Sequence, residues 1–222
     1  MKNYFYSNKI KLCQKLFIVI IFLNFSLFTS QVISSDPLEN TTIFVSKTGL
    51  GNYTTIQEGI DGIRDNDTLI VDAGVYKENL FFPKKTIVVE SLVGAQNTIL
   101  DGNQSGPVVL FSHIDESPSI LDGFTIKNGS GTSSAGCQNY GFGFSGSSTL
   151  GGGVLVVCGS PIIRNCIVMD NTADYGAGIL LKHLSSTLFE NCIIENNVAT
   201  ENGGGLDYGG CGSPRFIDCV FR

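Results

Sequence analysis

The chain has 222 residues, 27 of them glycine, with 42% hydrophobic and 15% charged residues. That is enough chain for one domain with an appendage, and enough apolar content for a core, which excludes a disordered tail. A formal net charge of −6 and a pI near 4.8 exclude a general electrostatic grip on nucleic acid.

In chain order, the first element is a targeting segment over 1–35. Lys2, Lys9, Lys11 and Lys15 precede an apolar run at 16–28, broken by Asn24 and Ser26, and Ser30, Ser34 and Ser35 follow. A basic start, a short apolar core and a small-residue exit are the layout of a secretory signal. The run is short of the ~20 residues that span a bilayer, so no transmembrane span is expected beyond the signal, and an uncleaved N-terminal anchor is the alternative. Cleavage after Ser34 or Ser35 leaves ten basic and twenty acidic residues, a charge of −10. The expected location is secreted or at the cell surface. Asn40, Asn52, Asn66, Asn103 and Asn128 each open an Asn-x-Ser/Thr sequon, which matters in a eukaryotic host.

The remaining 36–222 read as one domain, with a cap at about 43–75 and repeating coils at about 76–222. Thr55-Ile56-Gln57-Glu58-Gly59-Ile60 opens a short helix, with Ile56, Ile60 and Ile63 at i, i+4 and i+7. Strand-like segments follow at 68–71, 80–82 and 86–90, and Ile-Leu-Asp-Gly occurs at 99–102 and 120–123. Residues 129–150 interrupt the pattern and are read as an inserted loop. It carries Tyr140, Phe142 and Phe144 beside Gln138 and Asn139, the rings and amides of a sugar-binding surface; the alternative is that the rings fold back over the body. Gly141-Phe-Gly-Phe-Ser-Gly146 matches a dinucleotide fingerprint by letters, but no βαβ unit surrounds it.

The last third repeats. Gly153, Gly178 and Gly205 are 25 and 27 residues apart, each before an apolar residue, and Asn165-Cys166, Asn191-Cys192 and Asp218-Cys219 recur at 26 and 27. Asn171 and Asn197 are a further pair, 26 apart. Segments of three to five β-formers between Gly, Asn, Ser and Pro, with no helical period, suit one solenoid coil of ~25 residues. Each strand then pairs in parallel with its copy ~4.8 Å along the axis. Asn165, Asn191 and Asp218 are expected to stack at one corner, where Asn tolerates left-handed backbone. Cys166, Cys192 and Cys219 are expected as an inward column of small apolar groups, poorly aimed for disulfides. Cys158 and Cys211, two coils apart, are out of each other's reach, and Cys137 with Cys158 is one possible pairing.

The Thr-Ile-Gln-Glu-Gly-Ile opening, the Asp67-Thr68-Leu69-Ile70-Val71…Gly74-Val75-Tyr76 strand and the Gly-Gly-Gly and Asn-Cys arrays together resemble the right-handed parallel β-helix (pectate-lyase-like) superfamily. The resemblance covers about 43–222. It implies an all-β fold, a single-stranded right-handed parallel β-helix whose N-terminal end is capped by the short helix. Members similar to this opening include pectin methylesterases, which carry paired Asp with Gln-rich motifs; here Gln138 is the single Gln beyond Gly123. Polygalacturonase-like hydrolysis would need an Asp-Asp pair, which is absent. Pectate-lyase chemistry would need stacked acids for Ca²⁺ and an Arg base. The candidates are Asp170, Asp174 and Asp207 with Glu195 and Glu201, and Arg164 or Arg215, against the plain reading that these acids sit at solvated turns. No metal or other cofactor is expected outside that alternative.

The chain stops within a repeating strand, so the C-terminal end is expected to be open or truncated, with end-to-end association as one way to cover it. The expected function is an exported repeat module that binds polysaccharide or another surface component without catalysis. A Ca²⁺-dependent lyase or related carbohydrate-active enzyme is the alternative.

Overall fold

The computed structural model describes residues 40–113, 118–137, 142–183 and 185–222, and of Gly136, Cys137 and 142–145 the backbone alone. The expected signal segment and Tyr140 lie outside the described residues.

Each circuit of the chain lays one short strand into each of several sheets. The first holds β1 (Thr42–Val45) and α1 (Ile56–Gly62), the second β2 (Thr68–Val71), β3 (Gly74–Tyr76) and β4 (Leu80–Phe82). The third holds β5 (Val88–Ser91), β6 (Thr98–Asp101) and β7 (Val109–Ser112). The fourth runs through β8 (Ile120–Asp122), β9 (Thr125–Lys127), β10 (Thr132–Cys137), β11 (Phe142–Leu150) and β12 (Val154–Cys158). Then come β13 (Ile162–Arg164), β14 (Ile167–Met169), β15 (Thr172–Tyr175) and β16 (Ile179–His183). The sixth circuit repeats them as β17 (Leu188–Glu190), β18 (Ile193–Glu195), β19 (Val198–Asn202) and β20 (Leu206–Gly210), and β21 (Arg215–Ile217) and β22 (Val220–Phe221) begin the next.

Four sheets result. Sheet I is β1-β2-β5-β8-β13-β17-β21, and sheet II is β3-β6-β9-β14-β18-β22. Sheet III is β10-β11-β15-β19, and sheet IV is β4-β7-β12-β16-β20. Every pairing is parallel except β10 with β11. This is the parallel β-solenoid expected from the repeats.

Because strands stack in register, each alternate residue faces its own copies inside. Leu69, Val89, Leu121, Ile163 and Phe189 form one such column in sheet I, each 0% exposed. Leu100, Ile126, Val168 and Ile194 form the column of sheet II. Full burial of such side chains contributes about 1.5–3 kcal/mol each. The Phe189 and Phe216 rings stack 4.9 Å apart, 6° from parallel. The corner between sheets I and II passes through Gly123, Asn165, Asn191 and Asp218, at φ of 81°, 54°, 52° and 51°. Each needs left-handed backbone, which Gly, Asn and Asp adopt at least cost.

The helix is fixed at both ends. Glu78 accepts the Ile56 and Gln57 N–H groups at 3.1 and 3.0 Å, and Lys85 Nζ donates to the carbonyls of Ile60, Asp61 and Ile63 at 2.8–3.0 Å. Those are the orphan backbone groups that every helix leaves at its termini. Gly59 lets the helix lie close to sheet I, since a Cβ there would meet the Leu69 methyls at 2.7 and 2.8 Å.

Two expectations change. The solenoid begins within the expected cap, because β1 already pairs along its length with β2, and α1 is an insertion between the two. The expected loop at 129–150 contains an antiparallel hairpin, β10–β11, whose second strand also pairs with β15. Glycine and serine at alternate positions conceal the strand pattern there. Ala135 and Leu150 of the hairpin pack on Leu110, Leu155, Val157, Cys158 and Leu180, a second apolar cluster on the outer face of sheet IV. Among the described residues no helix is long and apolar enough to cross a membrane.

Candidate functional site

Stacked corners give this fold its polar architecture. Asn165 Nδ2 donates to Asp122 Oδ1 at 2.7 Å, and Asn191 Nδ2 donates to Asn165 Oδ1 at 2.7 Å. Asp218 follows at the same corner of the next circuit. A second ladder is internal. Asn171, 0% exposed, accepts the Gly129 N–H at 2.8 Å and donates to Ile126 O at 3.1 Å and to Asn197 Oδ1 at 2.9 Å. Asn197 Nδ2 continues it to Val168 O at 2.9 Å.

Cys166, Cys192 and Cys219 line one column as reduced thiols, each donating to the backbone carbonyl two residues before it. The bond with Cys166 and burial push the Cys192 thiol above the ordinary range, and burial raises Cys219. A raised thiol is less readily converted to the nucleophilic thiolate, which goes with the place of Cys192 and Cys219 in the packed column. Cys158 is in a disulfide; the side chain of Cys137, the one partner named for it from the sequence, is outside the described residues.

The acids and arginines proposed for lyase chemistry are spread around the solenoid. Arg164 lies on sheet I, its Nε 2.6 Å from Asp122 Oδ2, and Arg215 is exposed on the same sheet. Glu195 lies on sheet II and takes Arg222 Nε at 2.6 Å. Asp170 is exposed at the next corner, with φ 55°. Asp174 and Glu201 are on neighbouring strands of sheet III, and Asp207 is on sheet IV, 3.8 Å from Lys182 Nζ. Asp174 is held below the usual carboxylate range by the Thr200 hydroxyl and then by the Thr149 N–H, so it is an acceptor already in use. Among the described residues no three His, Cys, Asp or Glu side chains gather as a metal site. The candidates therefore do not form a Ca²⁺ and base constellation.

The hairpin does bring together a distinct surface. Its register pairs Ala135 with Phe144 and Cys137 with Phe142, and it is seated over the outer face of sheet IV. The side chains of Phe142 and Phe144 are not among those described. Sequence reading missed the buried Ser112 Oγ and His113 Nδ1 at the end of β7, neither of which has a hydrogen-bond partner among the described residues. It also missed Asp67, almost wholly buried where sheet I begins. Burial opposes ionisation there, but the Thr41 hydroxyl and N–H and the Arg64 N–H outweigh it and hold the carboxyl at about 2. Arg64-Asp-Asn-Asp67, a charged turn before a strand, was the available signal.

The family model described as right handed beta helix region matches residues 90–221. A probable pectinesterase/pectinesterase inhibitor of Arabidopsis thaliana is 33% identical over 110 residues, 48% of this chain. The match spans 21% of that protein's length. Among solved structures, a pectin methylesterase from carrot overlays with a TM-score of 0.44 at 16% identity, covering 71% of this chain and 53% of that one.

Proposed function

The chain belongs to the right-handed β-helix family, and from that premise we propose that it is an exported module that binds polysaccharide on its outer surface without cleaving it. The observation that carries this reading is the dispersal of the charged candidates. Arg164, Asp170, Asp174 and Asp207 occupy different sheets and corners, and all but Asp170 have polar or ionic partners of their own. A lyase needs its cation ligands and base within reach of one sugar carboxylate. The hairpin packed on the outer face of sheet IV supports binding instead, and its segment of the sequence carries Tyr140, Phe142 and Phe144, the residue types that pack on the apolar faces of sugars. The apolar run at 16–28 supports export.

A pectin-type polymer is the ligand class to test first, because the Arabidopsis relative is named a probable pectinesterase. That same likeness favours one second reading, a carbohydrate-active enzyme acting on the ester or backbone of such a polymer. The purified chain is run through native gels containing methyl-esterified or de-esterified pectin, and incubated with each, with and without Ca²⁺. The expected result is retardation, reduced in a Y140A/F142A/F144A variant, with neither methanol nor unsaturated uronides released. Release of either product overturns the non-catalytic reading, and mobility unchanged by both polymers overturns polysaccharide binding.

A further inference from the structure

Asparagine does two separate jobs in this molecule. Residues 131–222 contain seven asparagines and no sequon, and Asn165, Asn171, Asn191 and Asn197 are committed to the ladders. Residues 40–130 also contain seven, and five of them open sequons. Ser and Thr together make up 36 of the 222 residues, so chance would place about one sequon among seven asparagines. The excess marks a function for the tripeptide, and the fold sorts its five copies.

Asn40, Asn52, Asn66 and Asn103 are exposed, in segments that enter or leave strands on the early circuits. Asn66 and Asn103 sit in left-handed turns, at φ 68° and 49°. Asn52 uses its amide oxygen to accept the Phe44 N–H at 3.0 Å, leaving Nδ2, the atom that would carry a sugar, outside that bond. Asn128 differs. It is half-buried at a corner, and its Nδ2 donates to Asp101 Oδ1 at 3.1 Å. The following Gly129 is packed so closely that a Cβ there would lie 1.9 Å from Gly152 O. A glycan at Asn128 would wedge between circuits.

We propose that the chain is an N-glycoprotein whose acceptors are Asn40, Asn52, Asn66 and Asn103, with Asn128 left unmodified. The donor class is an oligosaccharide on a polyprenyl pyrophosphate. Nδ2 attacks the anomeric carbon, the N–C bond forms as the C–O bond to phosphate breaks, the pyrophosphate leaves with that electron pair, and the Nδ2 proton passes to a base of the transferase. Asn40, Asn52 and Asn66 lie around the start of sheet I, and Asn103 precedes Gln104, whose Oε1 accepts the Thr172 hydroxyl of sheet III at 3.5 Å, so the glycans decorate the early circuits. This inference rests on the export reading.

The chain is expressed in eukaryotic cells twice, with its own residues 1–35 and with an unrelated signal in their place. Peptides are mapped after amide-cleaving glycosidase treatment in ¹⁸O-water, which converts each formerly glycosylated Asn to labelled Asp. The expected map is label at positions 40, 52, 66 and 103 and none at 128, with T54A and S105A each removing one glycan-sized step on a denaturing gel. Secreted protein without label overturns the glycan assignment, as does label at 128 with 52 and 103 bare. Label only with the unrelated signal overturns the export reading and leaves the acceptor assignment standing.

Discussion

Single polar side chains matter here because the repeat leaves few ways to satisfy the backbone between circuits. Asn171 satisfies Gly129 N–H and Ile126 O and bonds Asn197 from a site with no exposure. Asn171→Ala strands those groups, at about 1–3 kcal/mol for each buried group left unpaired. Urea denaturation should show a loss of about 2–4 kcal/mol, against about 1 kcal/mol for Asn165→Ala, which gives up two exposed bonds and a left-handed preference. Equal losses would contradict the internal ladder. Asp67 gives a pH signature. Its carboxyl is depressed to about 2 in the fold, against about 3.9 in an unfolded chain. The group therefore stabilises the protein fully above about pH 4, and that contribution fades as pH falls toward 2. The stability gap between the protein and Asp67→Asn, followed by urea midpoints, should be constant from pH 7 to 5 and should close on acidification. A gap that widens would reverse the assignment.

At the scale of elements, the hairpin is the part whose attachment can be separated from the rest. Its hold on sheet IV is the small cluster around Leu155 and Leu180, distinct from the central core. Leu180→Ala should cost about 2–5 kcal/mol at that contact. At 1.4 kcal/mol per tenfold, a loss near 3 kcal/mol raises the open population about a hundredfold. Under reducing conditions, limited proteolysis should then cut within 132–150 first and leave the coils intact. First cleavage elsewhere would show that the hairpin is not an independent unit. These elements also show what the sequence could disclose. The helix, the coil period and the corner asparagines were legible because each is a local pattern repeated at fixed spacing. The hairpin was not, since Phe142–Leu150 carries Gly and Ser where strands usually show alternation. A trace of it was present: Val154–Cys158 is apolar at five consecutive positions, the mark of a strand covered on both faces. Nor could spacing locate Asp174, Asp207 and Arg164 relative to one another. That depends on how many sheets each circuit visits, and the count rises from three to four at the hairpin.

For the molecule as a whole, charge is the property that should discriminate among polymers. With 1–35 removed the chain carries −10, and its acids lie on all four sheets, several beside a single cation. No sheet presents arginines or lysines in a stacked column, since registers such as Glu90, Asp122 and Arg164 mix the signs. A polyuronate approaching any face meets net repulsion, which is strongest at low ionic strength, where the screening length reaches ~30 Å at 0.01 M and falls to ~10 Å at 0.1 M. Methyl esterification removes the polymer's charge and leaves its apolar sugar faces. Affinity electrophoresis at low salt should therefore show tighter binding to highly esterified than to de-esterified pectin, with the difference shrinking as salt is added. Tighter binding to the de-esterified polymer at low salt, abolished by a chelator, would instead place a bridging divalent cation between two acidic partners and would require a ligand set that the four sheets do not bring together.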